Sequence, residues 1–301
     1  MKAIVLSFDP HLEIANLIVE TYNRLWPDCP FVFRIPFTHR DPKRIFAAQN
    51  VEFIPTAPDI RSTMKNLLGS LPEDEFVFWC VDDRYPIEIL DLPVLRAVCD
   101  LVSQKPPDVQ AIKLTDITVD GIHGQRDGKK GRPARRLTSF RRWLKQTRQG
   151  YRLFNSRPQP ATEEEGRSTG WRHREEALPR APAFLLAGQR FFRQLGQPKN
   201  GFYMPQFTTP AFLKLLFFAP ALPLLYDIRE FHQFLLSTEI EHRSYFPDKF
   251  LLSVGESTFS GRLSGQCYEQ MVKLGLPPPK MTVLRDYKIY SDRGNPGAYR
   301  E

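Results

Sequence analysis

Several things the chain lacks narrow its function before any motif is read. Cysteine is scarce: Cys29, Cys80, Cys99 and Cys267 are the only four in 301 residues, and no two form a CxxC pair. A zinc ribbon and a disulfide framework are thereby excluded, and a reducing cytosol is the simplest expectation. No Gly-x-Gly-x-x-Gly follows the first apolar run, so a dinucleotide cofactor is not expected. There is no Walker-type phosphate loop and no nucleophile-elbow motif for serine hydrolysis. The six histidines, His11, His39, His123, His173, His232 and His242, are scattered, and none forms a ligand pair at helical spacing. They read as structural or surface groups. No internal repeat is visible. Met1-Lys2 leads into an apolar run too short for a signal h-region. No stretch approaches the roughly 18 uninterrupted apolar residues of a spanning helix. The closest, Ala211 to Tyr226, is interrupted by Lys214, Pro220 and Pro223.

What is present is ordinary for a soluble globular chain: 42% hydrophobic and 25% charged residues, enough for a sizeable core without staples. The net charge of +8 is unevenly spread. Between Arg126 and Arg148 there are ten Lys or Arg and one acid, Asp127, and the remainder is near balance. A local basic patch predicts a phosphate-bearing partner or an anionic membrane surface. No nucleic-acid motif accompanies it, and nucleic acid is not an expected partner. The expected place is the cytoplasm, with peripheral contact on the inner membrane face through 126–148.

The first eighty residues alternate strand and helix. Lys2 to Phe8 reads as a strand broken by Asp9-Pro10, and His11 to Leu25 as a helix. Phe31 to Ile35 and Val51 to Ile54 are strands ended by Pro36 and Pro55, and Asp59 to Leu68 is a helix with Asp59 as N-cap. The fourth strand is Phe76 to Val81, six apolar residues that read as buried on both faces. It runs directly into Asp82-Asp83-Arg84. This pattern predicts a parallel sheet covered on both faces, and an open sheet of that kind places ligands at the C-terminal ends of its strands. Two carboxylates there can hold a hard divalent cation that in turn holds phosphate oxygens. Aspartates also open turns, so the pair alone does not decide.

Further on, Pro86 to Leu101 reads as a helix interrupted near Pro93, and Val109 to Thr115 as a strand. Residues 121–180 are poor in aliphatics and read as a long basic insertion, with a short basic helix within 139–153. Order returns at Phe184. Gly201 to Phe207 is extended, Ala211 to Phe218 a helix with Thr209-Pro210 as its start, and Asp227 to Thr238 another. A late strand, Lys249 to Val254, precedes a Gly/Ser-rich loop, 255–265, and a short helix, Tyr268 to Leu274.

The order of these features resembles GT-A type glycosyltransferases. Val77-Phe78-Trp79-Cys80-Val81-Asp82-Asp83 stands where that family carries its metal-holding acidic motif, usually Asp-x-Asp, and departs from it as Asp-Asp-Arg. Met204-Pro205-Gln206 before Thr209-Pro210 resembles the acceptor-side turn, and Asp227-Ile228-Arg229-Glu230 the helix start that carries the base. The resemblance covers residues 1–115 and 200–275. It implies a Rossmann-type mixed sheet flanked by helices, with a nucleotide-sugar half (1–116), the basic insertion (117–182), a helical acceptor-side half (183–275) and a tail (276–301). It further implies transfer of a sugar from a nucleotide-sugar donor to a glycan or lipid-linked acceptor, as in polysaccharide biosynthesis, assisted by Mn²⁺ or Mg²⁺. By that resemblance Asp83 and Asp82 hold the metal. Ser7, Phe8, Asp9, Arg61 and Lys65 join them on the donor, Gln206 and Tyr203 meet the acceptor, and Glu230 or Asp227 is the base. Asp227 and Glu230 equally form a capping box. Two rival readings use the same sheet: a nucleotidyltransferase, which should show a Gly-rich loop after the first strand, and a non-catalytic nucleotide-sugar-binding protein.

Overall fold

The computed structural model describes residues 1–115, 182–194, 202–238, 240, 242–259 and 261–284. The basic stretch 126–148, the expected helix within 139–153, Glu239 and the tail beyond 284 lie outside the described residues. All that is described belongs to one compact unit, residues 1–119 and 177–285.

Its frame is a mixed sheet. β1 (Lys2–Leu6), β2 (Val32–Phe37), β3 (Val51–Pro55) and β4 (Val77–Val81) are joined by α1 (Leu12–Leu25) and α2 (Ile60–Leu68). β5 (Arg84–Ile89), α3 (Leu92–Ser103) and β6 (Ala111–Lys113) complete the first part. The second supplies β7 (Phe184–Leu186), β8 (Gln189–Arg193), β9 (Gln206–Thr208), α4 (Pro210–Phe217), α5 (Ile228–Ser237) and β10 (Ser244–Pro247). β11 (Leu252–Glu256), β12 (Thr258–Phe259), β13 (Arg262–Ser264), α6 (Gly265–Lys273) and β14 (Val283–Leu284) follow. Nine strands order as β3-β2-β1-β4-β9-β6-β10-β8-β7. The first four are parallel. β9 runs antiparallel between β4 and β6, so strands from both ends of the chain interleave.

Strand alternation sorts the core into two layers. Ala3, Val5, Phe78 and Cys80 face α1 and α3. Ile4, Val77, Trp79 and Val81 face α2, α4 and α5. β4 is buried along its whole length, as a central strand covered on both faces must be. Trp79 is fully buried, and its indole N–H donates to Phe202 O, 3.0 Å. Phe217 and Phe231 stack at 4.2 Å beside it. Truncating Trp79 to Ala would cost about 3–5 kcal/mol.

The sequence expectations need correction at four places. Residues 86–89 are strand, not helix: β5 pairs antiparallel with β11 from the far end of the chain, a partner no local periodicity reveals. The helix starts only at Leu92, where Asp91 accepts from Val94 N at 3.0 Å and Pro93 occupies the first turn, the place a helix tolerates proline. Pro36 does not end its strand, because β1 stops pairing at Arg34 and only β3 continues beside it, so the missing N–H is not needed on the β1 side. Finally, β8, β10, β12, β13 and β14 arise where no strand was expected, β14 within the stretch read as a tail. The β7–β8 hairpin turns through Ala187 and Gly188 with φ of +47° and +80°, the two left-handed residues of a tight hairpin.

Candidate functional site

β1 and β4 lie side by side with Leu6 opposite Val81, so both strands end at the same level. The chain leaves β1 through α1 to β2 on one side, and β4 arrives through α2 on the other. α1 covers one face and α2 the opposite one. The C-terminal ends of β1 and β4 therefore flank a topological switch point, where an open α/β sheet has its natural crevice.

Asp82 is buried, 7% exposed. Its amide donates to Leu6 O at 3.1 Å. Its Oδ2 accepts from Ser7 Oγ at 2.8 Å and faces His11 Nδ1 at 3.2 Å. Asp83 beside it is exposed. The backbone of the pair is pinned from the far end of the chain: the Ser257 hydroxyl donates to Asp82 O and Ser257 N donates to Asp83 O at 3.0 Å. Arg84 pairs with Glu256 at 3.2 Å on the β5–β11 ladder.

Asp83 and His11 at this edge are both shifted upward, for different reasons. The surrounding protein mass, then the Asp82 charge, push the Asp83 carboxyl upward against the pull of Arg84 and His11. Asp83 nonetheless keeps surface in contact with water. The hydrogen bond to Asp82 raises His11; partial burial opposes it, and the charges of Asp82, Asp83 and Glu13 add to the rise. Deeper in the sheet, Lys113 pairs with Gln206, and Gln206 with Trp79. Burial pulls the Lys113 ammonium down to about 7.

The other expected residues are distributed as follows. Phe8 is 53% exposed at the crevice, its ring 4.4 Å from that of His11. Asp9 holds the turn after β2: its carboxylate accepts from Thr38 N, Thr38 Oγ1, His39 N and Arg40 N at 2.7–3.0 Å. Desolvation alone would raise it, but these four bonds hold it far below the usual carboxylate range. Arg61 donates to Pro223 O at 3.0 Å and lies over the Phe218 ring, so it ties α2 to the turn before α5. Lys65 is exposed on α2. Gln206 is buried and donates to Phe202 O at 2.8 Å. Tyr203 stacks on His232 at 5.9 Å, and its buried hydroxyl finds no partner among the described residues. Asp227 and Glu230 form the capping box: Asp227 Oδ1 accepts from Arg229 N and Glu230 N, and Glu230 Oε2 accepts from Asp227 N at 2.9 Å.

Sequence reasoning did not single out His11, Lys113, Ser257, Arg84 or Glu256. His11 was within reach of it, because it lies four residues past Ser7 in the turn that leaves β1. Ser257 and Glu256 depend on the β5–β11 pairing and carried no local signal.

Among the described residues no three His, Cys, Asp or Glu side chains gather to hold a metal ion. A magnesium-type ion needs only one or two carboxylates when phosphates and water fill the remaining positions. Asp82 and Asp83 supply two carboxylates at the end of β4.

No protein-family model matches the chain, and no curated protein does. Similar solved structures include the galactosyltransferase LgtC in complex with donor and acceptor sugar analogs: 14% identity over 42% of this chain and 50% of that one, TM-score 0.29. An active-site mutant of LgtC gives 13%, 42%, 49% and 0.28. The 4-diphosphocytidyl-2C-methyl-D-erythritol synthase from Anaerococcus prevotii gives 11% identity over 91% of this chain and 97% of that one, TM-score 0.39. The chain spans about half the length of LgtC. All three TM-scores are too low to carry an assignment of activity.

Proposed function

We propose that the chain is a glycosyltransferase that moves a sugar from a nucleotide-sugar donor to a glycan or lipid-linked acceptor. The observation that supports this most is the acid pair at the switch point: β4 delivers Asp82 and Asp83 beside Ser7. A diphosphate brought to two carboxylates requires a cation between them, so Asp83, with Asp82, would hold Mn²⁺ or Mg²⁺. That ion would neutralise charge developing on the leaving diphosphate. Ser7 and the exposed Phe8 would line the nucleoside side, with Asp9 shaping their loop. Arg61 and Lys65 on α2 would meet the diphosphate only on leaving their present surroundings. On the acceptor side, Gln206 would act as a frame for Tyr203, whose buried hydroxyl has no partner among the described residues. The base is assigned to the α5 start: Glu230 keeps one carboxylate oxygen outside the cap, and Asp227 holds the turn that presents it. A nucleotidyltransferase would use the same edge, but β1 here passes into Asp9-Pro10-His11 without a glycine-rich phosphate loop.

A thermal-shift panel separates the readings. Nucleotide sugars and the corresponding nucleoside diphosphates should raise Tm with Mn²⁺ and less without it, and one nucleotide sugar should be turned over. Stabilisation by nucleoside triphosphates with release of pyrophosphate would replace the proposal with nucleotidyl transfer. Stabilisation without turnover of any sugar donor would leave a binding protein.

A further inference from the structure

His11 has one ring nitrogen engaged and one free. Nδ1 faces Asp82 Oδ2 at 3.2 Å, and Nε2 makes no hydrogen bond among the described residues. The side chain is 20% exposed. One hydrogen bond and one ring contact orient the ring. Asp82, its holder, is itself fixed by the Ser7 hydroxyl at 2.8 Å and by Ser257 through its backbone. Phe8 lies against the ring at 4.4 Å. Asp82 Oδ2 takes up the Nδ1 side of the ring, and the outer nitrogen is set aside for another partner.

The surroundings limit what that partner is. Asp82, Asp83 and Glu13 all act on His11 with negative charge. A phosphate approaching Nε2 without a cation would meet the Asp82 and Asp83 charges, Glu13 being paired with Arg40. A hydroxyl meets no such penalty, and it suits the ring in either state: it donates to neutral Nε2 or accepts from a protonated one. We propose that His11 is a ligand-binding residue, held by the Ser7–Asp82 pair, whose Nε2 hydrogen-bonds a hydroxyl of the nucleotide-sugar donor. This rests on the reading of the β1–β4 edge as the donor site. The hydroxyl belongs either to the ribose or to the transferred sugar, and the test distinguishes them.

The probes are UDP, GDP and CDP, their 2′,3′-dideoxy counterparts and the matching nucleotide glucoses, titrated calorimetrically with Mn²⁺ into wild type, His11→Asn, His11→Gln and His11→Phe. Asparagine can keep the contact to Asp82 but has nothing at the Nε2 position; glutamine reaches that position with an amide. Phenylalanine keeps the ring against Phe8 and removes both nitrogens. His11→Asn and His11→Phe should bind the hydroxyl-bearing ligand about tenfold more weakly, the worth of one hydrogen bond, and His11→Gln should recover most of the loss. If the deficit vanishes with the dideoxy diphosphate, the hydroxyl is the ribose's. If it is seen only with the nucleotide glucose, it is the sugar's. His11→Asn or a folded His11→Phe binding every ligand like wild type overturns the proposal while leaving the donor site standing, as does an equal deficit on hydroxyl-bearing and hydroxyl-free ligands. A wild type that binds none of the probes overturns the donor-site reading, and the inference falls with it.

Discussion

Two places in this molecule present a pair of acids at the end of a structural element, and they use them differently. At the start of α5, Asp227 and Glu230 spend their hydrogen bonds on each other's backbone, within three residues. At the end of β4, Asp82 is held by Ser7 and His11, more than seventy residues away in sequence, and its backbone by Ser257, 175 residues away. Local acceptors that satisfy local donors are the ordinary economy of a helix end. An acid fixed by two separate segments, next to a second one raised by burial and then by its charge, is held by the fold rather than by its own turn. Asp9 stands between the two, since its four bonds close a single turn but reach residues 29–31 positions along the chain.

The largest expected effect comes from removing the outward member of the β4 pair. Asp83→Ala should abolish metal-dependent donor binding, because a single inward-held carboxylate and water cannot replace the pair. Calorimetric titration of donor with Mn²⁺ and with chelator measures it. Full turnover by the variant in chelator would remove the metal from the proposal, and with it the functional half of the comparison.

Glu230→Gln tests the other half. It keeps the length and a carbonyl oxygen for the Asp227 N–H but removes the basic oxygen. If Glu230 is the base, turnover drops by roughly 10²–10⁴-fold while donor affinity and Tm stay near wild type. A lower Tm with kcat preserved would make the α5 pair a cap and nothing more.

Lys113 sharpens the contrast by way of pH. Its folded pKa, about 7, lies below that of an unfolded lysine near 10.5, so between those values the unfolded chain binds more protons. Stability linked to Lys113 is therefore present in full above the upper value and is lost as pH falls toward 7, with a limiting slope of about 1.4 kcal/mol per pH unit. Chemical denaturation of wild type and Lys113→Met from pH 7 to 10 should show a stability difference that changes with pH in that sense. Parallel curves would mean that the ammonium is not desolvated.

Much of the fold was legible because its signals are local. The six apolar residues before Asp82, the N-cap Asp59 with its bond to Ser62 N at 2.7 Å, and Thr209-Pro210 opening α4 all state their structure within a few positions. The α5 capping box was legible for the same reason, as the plain alternative to catalysis. What was missed is non-local. β5 reads as helix until β11 pairs with it, and a lone histidine reads as surface until the fold brings Asp82 to it. The acid pair could be placed from sequence; what holds it could not, because Ser7, His11 and Ser257 meet it only through the sheet.

The smallest effect expected is at the cap itself. Asp227→Ala removes the acceptor for Arg229 N and Glu230 N and leaves both donors to water, a loss of about 1 kcal/mol, which for a domain of this size is a fall of roughly 2–4 °C in Tm. Asp227→Asn keeps an acceptor in place and should cost only a few tenths of that. Because the bonds are confined to one helical turn, and Phe231 and Leu235 still anchor α5 in the core, donor affinity should be unchanged in both variants. The pair of substitutions therefore separates charge from capping. If Asp227→Asn holds its Tm but turnover falls as far as in Glu230→Gln, the two acids act together on the acceptor, and local satisfaction was no guide to role. If turnover follows Tm in both, the cap is structural, and the contrast with the β4 edge stands.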